Sequence, residues 1–571
     1  VVEAGTIDPS IFETIPQQHF QEMNRLSKLT GTNITIHGPI IDPAGFTQQG
    51  WREEERLKTE REMKKVIEQS QKVDPKGSVP VTFHAGAMPI QTWVYDETHP
   101  EKRRQEYLVA VEPESGQMQA LRYEEKVWPD NPKMQLNPKR RIDVMNFSQW
   151  EQNKQQLFIN EEQKARLARL APPEDYVRYR PVISDIRTGR ADPNEVARLS
   201  QEDKERLRKV QDVVNGLDEA NFSQYSLLRE MYNDMVKTGF DSRNPEEERI
   251  KNDFMKRVQN VYSEYGPGSQ IARNQGVRYN DKLVSEIRSE ILRVEQEVER
   301  RREDLYRRGQ IKGEDVGVYP RKWRPADDFG REKAAQTVGK VMFDAWKKFG
   351  NNAPTMALEN YPGTIATFGD ELKDLIGQAR KKFVEEARKE GKSEGAAKVA
   401  AEKLIGATWD YGHINMLRQF GFPREIGPKE LAKVAKDVKK AHIADNFGFH
   451  DAHLPPGMGD VPLKESFKVL EKAGVKVPQI TEAGAFVAQF RTSPHPYVLE
   501  ALGSPMYTYM LEPFWNQTRQ TYGSYFAGYG EFLPDFHFRT YGAPSFSALP
   551  SELGGEMPGE ARQRFGPQQM E

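Results

Sequence analysis

The sequence predicts an α/β chain: a (β/α)8 TIM barrel carrying one large, mostly helical insertion and an aromatic C-terminal extension. Three observations predict it. Seven short apolar runs recur along the chain, amphipathic helical stretches lie between most of them, and most runs end in or beside His, Asp or Glu. The runs are Val1–Ala4, Ile34–His37, Val79–His84, Thr355–Glu359, Gly406–Asp410, Ala441–Ala444 and Val477–Glu482. Short stretches of β-branched or apolar residues bounded by Gly, Pro or charge have the pattern of buried parallel strands. Between them, Ala335, Val338, Val341, Met342 and Trp346 fall at helical spacing in 331–349, as do Phe467, Val469 and Leu470 in 463–473. Strand, helix, strand repeated predicts a parallel sheet.

Two segments break the rhythm, which gives four expected regions: 1–85 and 331–490 as the two parts of the barrel, 86–330 as the insertion, and 491–571 as the extension. The barrel parts together approach the roughly 250 residues of a (β/α)8 barrel. Only seven strands are counted, so the first βα unit is expected to precede Val1. The insertion opens with a hairpin, Tyr107–Val111 and Met118–Tyr123, turning through Pro113, Ser115 and Gly116, and continues as charged helices. Val284, Ile287, Ile291, Val294 and Val298 form a heptad stripe that needs a partner helix, which Ile250, Phe254, Val258, Val261 and Tyr265 could supply. The extension is rich in rings (Tyr507, Trp515, Tyr522, Tyr525, Phe526, Tyr529, Phe532, Phe536), and its end is expected to be disordered.

Composition narrows the chemistry. With 571 residues, 83 Lys+Arg against 85 Asp+Glu and no Cys, the chain has no disulfide framework, thiolate metal site or cysteine nucleophile. Any metal must be held by His, Asp or Glu. The neutral balance argues against a strongly basic nucleic-acid coat. No stretch approaches ~18 consecutive apolar residues, so no membrane span is expected and the cytoplasm is the expected compartment.

The carboxyl ends of barrel strands are where active sites form, and the metal-capable residues cluster there. His37 and His84 end the second and third runs, and Glu359 ends the fourth. Asp410 and His413 form a D-x-x-H, His442 follows Ala441, Asp451 and His453 form a D-x-H, and Glu482 ends the last run. Singly, each has a plainer explanation: a lone strand-end His is usually packed in the core or on the surface, and a lone Asp or Glu usually caps a helix. Together they do not. Only ten His exist, and five sit at successive strand ends. Nine donors exceed the about four to six that one divalent ion takes, and suit two or three ions sharing carboxylates.

The order H, H, E, D-x-x-H, H, D-x-H, E resembles the endonuclease IV family of apurinic/apyrimidinic endonucleases, within the xylose-isomerase-like TIM barrels. The loop His453-Leu-Pro-Pro-Gly-Met-Gly-Asp460 is similar to the H-x-x-x-G-x-G segment that this family shares with sugar isomerases. The resemblance covers the barrel segments only. It implies a trinuclear zinc-type centre: His37, His84 and Glu359 on one ion; bridging Glu359 with Asp410, His442 and Glu482 on a second; His413, Asp451 and His453 on the third. Glu359 and Glu482 are then the expected catalytic carboxylates, and the implied reaction is phosphodiester hydrolysis of DNA 5′ to an abasic site, a DNA-repair activity. Nitrogen and oxygen donors also suit manganese or iron. The family's Tyr after its first metal His and Arg after its second strand are not matched, because Gly38-Pro39-Ile40 follows His37 and no Arg lies near Val1–Ser10.

Two other functions fit parts of the pattern. Sugar isomerases and epimerases of the same superfamily hold one ion with the equivalents of Glu359, Asp410, His442 and Glu482, which leaves the other five donors without a common role. Alternatively the barrel is a scaffold and the insertion a docking arm for a protein partner. Residues 151–330 carry 34 Lys+Arg and 34 Asp+Glu, a balance that suits a solvated face over a self-packed core better than a DNA-binding arm. In the extension, rings interleaved with Arg519 and Arg539 could stack on unpaired bases, but packing over the barrel or at a subunit contact is the commoner use. His450, His495 and His537 are not expected to be ligands, though His450 beside the D-x-H could support one.

Overall fold

A computed structural model describes residues 1–5, 8–77, 79–97, 103–128, 131–192, 197–242, 244–275, 279–311, 316–484 and 486, with 494 and 498. Apart from 494 and 498, the extension, with His495 and His537, lies outside the described residues. The fold is α/β, with a seven-stranded sheet. Its strands are β1 (Val2–Gly5), β2 (Ile34–His37) and β3 (Pro80–His84); after the insertion strands β4 (Gln91–Tyr95), β5 (Arg103–Val111) and β6 (Met118–Arg122) come β7 (Thr355–Glu359), β8 (Ile405–Asp410), β9 (Val438–Ile443) and β10 (Gln479–Thr481). The sheet order is β1-β2-β3-β7-β8-β9-β10. Neighbours in the sheet follow one another along the chain, the strand order of a TIM barrel. Two compact units divide the chain: a larger one of residues 2–408 with 420–422, and a smaller one of residues 409–419 and those from 423 on. No described helix is long and apolar enough to cross a membrane.

In the larger unit β1 pairs β2, β2 pairs β3, β3 pairs β7 and β7 pairs β8, all parallel. The inner strands are buried on both faces, which explains their continuous apolar runs. Helices Gln17–Thr30 and Glu53–Val73 link the first three strands, and Ala326–Phe349 precedes β7. The last helix starts five residues earlier than its spacing suggested, because Pro325 brings the chain into it from extended backbone. It lies close against Gly369–Lys389: a Cβ on Gly339 would come within 2.6 Å of Lys382 Cβ and 2.8 Å of the Ala379 carbonyl. Buried Arg56 joins two helices by donating to Glu53, Glu60 and Thr337.

The insertion begins as an antiparallel sheet. β5 pairs β6 as the hairpin pattern predicts, and it also pairs β4, which the sequence pattern missed. Five long helices follow: Pro138–Ala168, Pro173–Thr188, Gln201–Asp234, Pro245–Tyr265 and Asp281–Arg307. The heptad stripe of Asp281–Arg307 shares one apolar cluster with Ile250, Phe254 and Val258, joined by Trp150, Leu228 and Met231. Its charges are answered between helices, by Arg257–Glu290 at 2.6 Å, Lys154–Glu295 at 2.9 Å and the buried Arg302–Glu247 at 2.9 Å. Balanced composition here reflects a self-packed bundle.

The hairpin sheet is pinned to the loop after β7. Ile90 and Gln91 N–H groups both donate to the Gly363 carbonyl, at 2.8 and 3.0 Å, and the Gln91 amide donates to the Thr364 carbonyl at 2.7 Å. Glu371 accepts from the backbone of Thr367 (2.9 Å) and Phe368 (3.2 Å), while Arg103 lies 3.7 Å over the Phe368 ring. Burial pushes the Glu371 carboxyl up to about 7, against the pull of Arg103 and Arg331.

Two outcomes follow from this packing. Glu371 holds its proton in the folded chain at pH values where the unfolded chain has lost it, so stability falls as pH rises from about 4.5 through 7, by roughly 3 kcal/mol in total. Glu371→Gln should flatten that part of the profile, measured as thermal midpoint against pH. Ile291→Ala, in the core of the bundle, should cost about 2–5 kcal/mol and lower the melting temperature without changing the metal content.

Candidate metal centre

Each unit gathers its own donors. In the larger one the register sets them: His84 lies level with Glu359 across β3 and β7, and His37 pairs with Thr82 on the same strand as His84. Glu359 is fully buried, and its Oε2 sits 3.2 Å from His37 Nε2 and 3.4 Å from His84 Nε2. His37 Nδ1 is 2.7 Å from the Gly38 carbonyl, which can only accept, so Nδ1 carries hydrogen. A neutral His37 therefore turns the Nε2 lone pair toward a carboxylate oxygen. That pairing needs a proton or a cation between the two atoms, the usual arrangement when a metal-ligating His has its other nitrogen fixed by a carbonyl. The His37 and His84 rings meet edge to face at 5.4 Å, and Tyr361 stacks on His84 at 5.1 Å. These three donors could hold one ion.

The smaller unit carries two groups. Asp451 Oδ2 lies 3.1 Å from His413 Nε2 and 2.9 Å from His453 Nε2. Its other oxygen, Oδ1, is buried without a hydrogen-bond partner, a costly state for a carboxylate that a bound cation would relieve. Burial pushes the Asp451 carboxyl up, but hydrogen bonds and charge from the two imidazoles outweigh it and hold it well below the carboxylate range. The same hydrogen bond from Asp451 raises His453, against its burial. His453 has φ +45°, the one non-glycine with positive φ among the described residues, a strained backbone of the kind found at functional sites. In the second group, His442 Nδ1 lies 2.9 Å from Glu482 Oε1 and 4.0 Å from Asp410 Oδ2, and His453 Nε2 lies 3.9 Å from Glu482 Oε2.

Asp410 uses its two oxygens differently. Its Oδ1 caps the short helix Tyr411–Asn415 by accepting from the His413 N–H at 2.7 Å, while Oδ2 is turned toward His442. The cap fixes both ends of the D-x-x-H, because helix geometry then sets where His413 points. His450 is exposed and joins neither group.

Two aspartates that the sequence pattern did not single out hold the loops. Asp445 accepts from the backbone N–H of Asn446 (2.9 Å), Gly457 (2.8 Å) and Val461 (3.0 Å), closing the loop that presents Asp451 and His453. A Cβ on Gly459 would come within 2.4 Å of that carboxylate. In the larger unit, buried Asp42 accepts from Ala44 and Ala87, both at 2.9 Å, and from Phe46 and Met88 at 3.3 Å, tying the loop after His37 to the loop after His84. Burial raises its carboxyl despite those four donors. The turn chemistry of Asp42-Pro-Ala-Gly45 and Asp445-Asn-Phe-Gly448 was the available signal.

No family model matches the chain, and no curated protein matches it. Among solved structures, the chain is similar to one described as the crystal structure of a D-tagatose 3-epimerase-like protein, at 15% identity and a TM-score of 0.20, covering 46% of this chain and 86% of that one.

Asp445→Ala removes no donor but frees the loop that carries two of them. Metal affinity should fall about 10–100-fold, as for other groups that orient ligands from behind, measured by titrating apo protein with zinc at pH 7.5. Retention should also weaken as pH falls and the imidazoles take up protons.

Proposed function

We propose that the chain is a metal-dependent phosphoester hydrolase holding more than one divalent ion, zinc or manganese by its donor set, with DNA at an abasic site as substrate. The supporting observation is that the donors fall into separate groups. In the larger unit His37, His84 and Glu359 form one; in the smaller unit His413, Asp451 and His453 form another, and Asp410, His442 and Glu482 lie near one another. A one-ion site has no use for the Asp451 group, whereas phosphoryl transfer does: bound ions lower the pKa of water and neutralise charge on the attacking and leaving oxygens.

The chain's own residues have distinct tasks in this reading. Glu359, fully buried, supplies charge that cannot be satisfied by water. Glu482, partly exposed and bonded to His442 Nδ1, is the carboxylate placed to take a proton from an attacking water. Asp445 and Asp42 keep the donors in position before substrate arrives. A second reading, a one-ion sugar isomerase or epimerase, is favoured by the closeness of Asp410, His442 and Glu482 within the smaller unit.

Elemental mass spectrometry on protein purified without chelators or a His tag separates the two. Two or three ions per chain, with chelator-sensitive nicking of abasic-site duplex, is the expected result; one ion and no nicking would transfer the assignment to the isomerase. His453→Ala should lower the ion count by about one and abolish nicking, and full activity in that variant would remove the Asp451 group from the mechanism.

A further inference from the structure

The loop that leaves the donor strand β7 returns an aromatic ring to a second donor. Tyr361 follows Glu359 and Asn360, and its ring stacks on the His84 imidazole with centroids 5.1 Å apart and planes 20° from parallel. The His37 ring meets His84 almost at right angles, at 79° and 5.4 Å. Stacked contact restricts one torsion above all: turning the His84 ring about its Cβ–Cγ bond would drive a ring edge into the phenol. A ligating nitrogen lone pair lies in the plane of its ring. A fixed plane is therefore a fixed aim, here toward Glu359 Oε2 at 3.4 Å. At His37 the Gly38 carbonyl fixes the aim through Nδ1, at 2.7 Å.

A ring can position its neighbour only if its own backbone is held, and this one is. The Tyr361 N–H donates to the Ala366 carbonyl at 3.2 Å, and the Tyr361 carbonyl accepts from Thr364 Oγ1 at 2.9 Å. The Gly363 N–H donates to Thr367 Oγ1 at 2.9 Å. Gly363 has φ +78°, and a Cβ there would stand 3.3 Å from the Gln91 carbonyl. From the insertion, the N–H groups of Ile90 and Gln91 close on the Gly363 carbonyl. Two threonines brace the turn from inside, and the hairpin sheet braces it from outside.

We propose that Tyr361 is a positioning residue for His84: its ring holds the imidazole plane, and with it the direction of the ligating nitrogen. The inference rests on one part of the hydrolase reading, an ion at His37, His84 and Glu359, and asks nothing of the substrate. It also gives the insertion a share in that site, because β4 grips the turn that carries the ring.

The test uses the full chain, stripped with chelator and titrated with cobalt(II), whose visible absorption reports ligand geometry as well as occupancy. His84→Ala should remove one site, which assigns the signal of this group. Tyr361→Leu keeps apolar bulk without the ring. It should weaken that site about 10-fold and alter its absorption, with the melting temperature of the metal-free chain unchanged. Tyr361→Phe restores the ring without the hydroxyl and should return affinity and spectrum to wild type. Wild-type affinity and spectrum in Tyr361→Leu would overturn the proposal, as would equal weakening of every site, which would mean general damage to the fold. Failure of Tyr361→Phe to restore the site would overturn it too, by moving the effect to the hydroxyl. The two readings fail separately. A site lost in His84→Ala but indifferent to Tyr361 would end the positioning role and leave the ion. A ring-dependent site without phosphoester cleavage would do the reverse, ending the hydrolase alone. Unchanged cobalt binding in His84→Ala would end both the ion at this group and the positioning role.

Discussion

Carboxylates buried at the carboxyl ends of parallel strands are the constraint on which the rest of this site depends. Glu359 and Asp410 are both fully buried. An ionised group taken out of water costs several kcal/mol unless opposite charge and hydrogen bonds replace its hydration. Each answers that cost within its own unit. Glu359 draws His37 and His84 to one oxygen, and Asp410 gives one oxygen to the helix that begins beside it. What imidazole nitrogens cannot supply while neutral is positive charge, and a divalent cation supplies it. The capacity of these groups to hold a metal is thus an electrostatic consequence of where the strands end.

A second layer keeps the donors from relaxing away from one another. Asp42 and Asp445 solve the same problem in different units: a carboxylate buried among loop residues collects backbone N–H groups from successive turns and freezes the loop that follows a ligand-bearing strand. Their donors are backbone groups, which move only with the chain. The geometry they enforce is accordingly stiffer than one held by long side chains. His453, with φ +45°, lies on the loop that Asp445 closes. The hairpin of the insertion does related work at the loop after β7, where Gln91 and Arg103 hold it by hydrogen bonds and ring contact. The insertion is therefore part of the scaffold behind Glu359 at one end and a self-contained helical bundle at the other.

Much of this was readable without coordinates. Apolar runs mark the inner strands because a strand buried on both faces has no polar positions to spare, and the Val284–Val298 stripe demands a helical partner because its period leaves one apolar face uncovered. Of the five histidines expected at strand ends, His37 and His84 close their strands and His442 lies one residue short of the end of its own. His413 instead sits in the helix after β8 and His453 in the loop after β9, because the D-x-x-H and D-x-H patterns run past the strands they follow. The strand Gln91–Tyr95 was not visible, since its one buried residue is the polar Gln91 and the four that follow are all partly exposed, which leaves no clean apolar phase.

The sequence by itself determined the order of strands and helices and the kinds of atoms offered at each strand end, because both follow from short-range periodicity and residue chemistry. Tertiary structure alone decided which donors share a neighbourhood. Level register between β3 and β7 sets His84 beside Glu359, 275 residues apart in the chain, and no local pattern encodes that pairing. Folding also decided that Asp410 caps a helix with one oxygen while turning the other toward His442, and that Asp42 and Asp445 anchor loops through backbone N–H groups. Charge, hydrogen bonding and exposure at those positions depend on what is packed around them, and packing is a property of the whole fold.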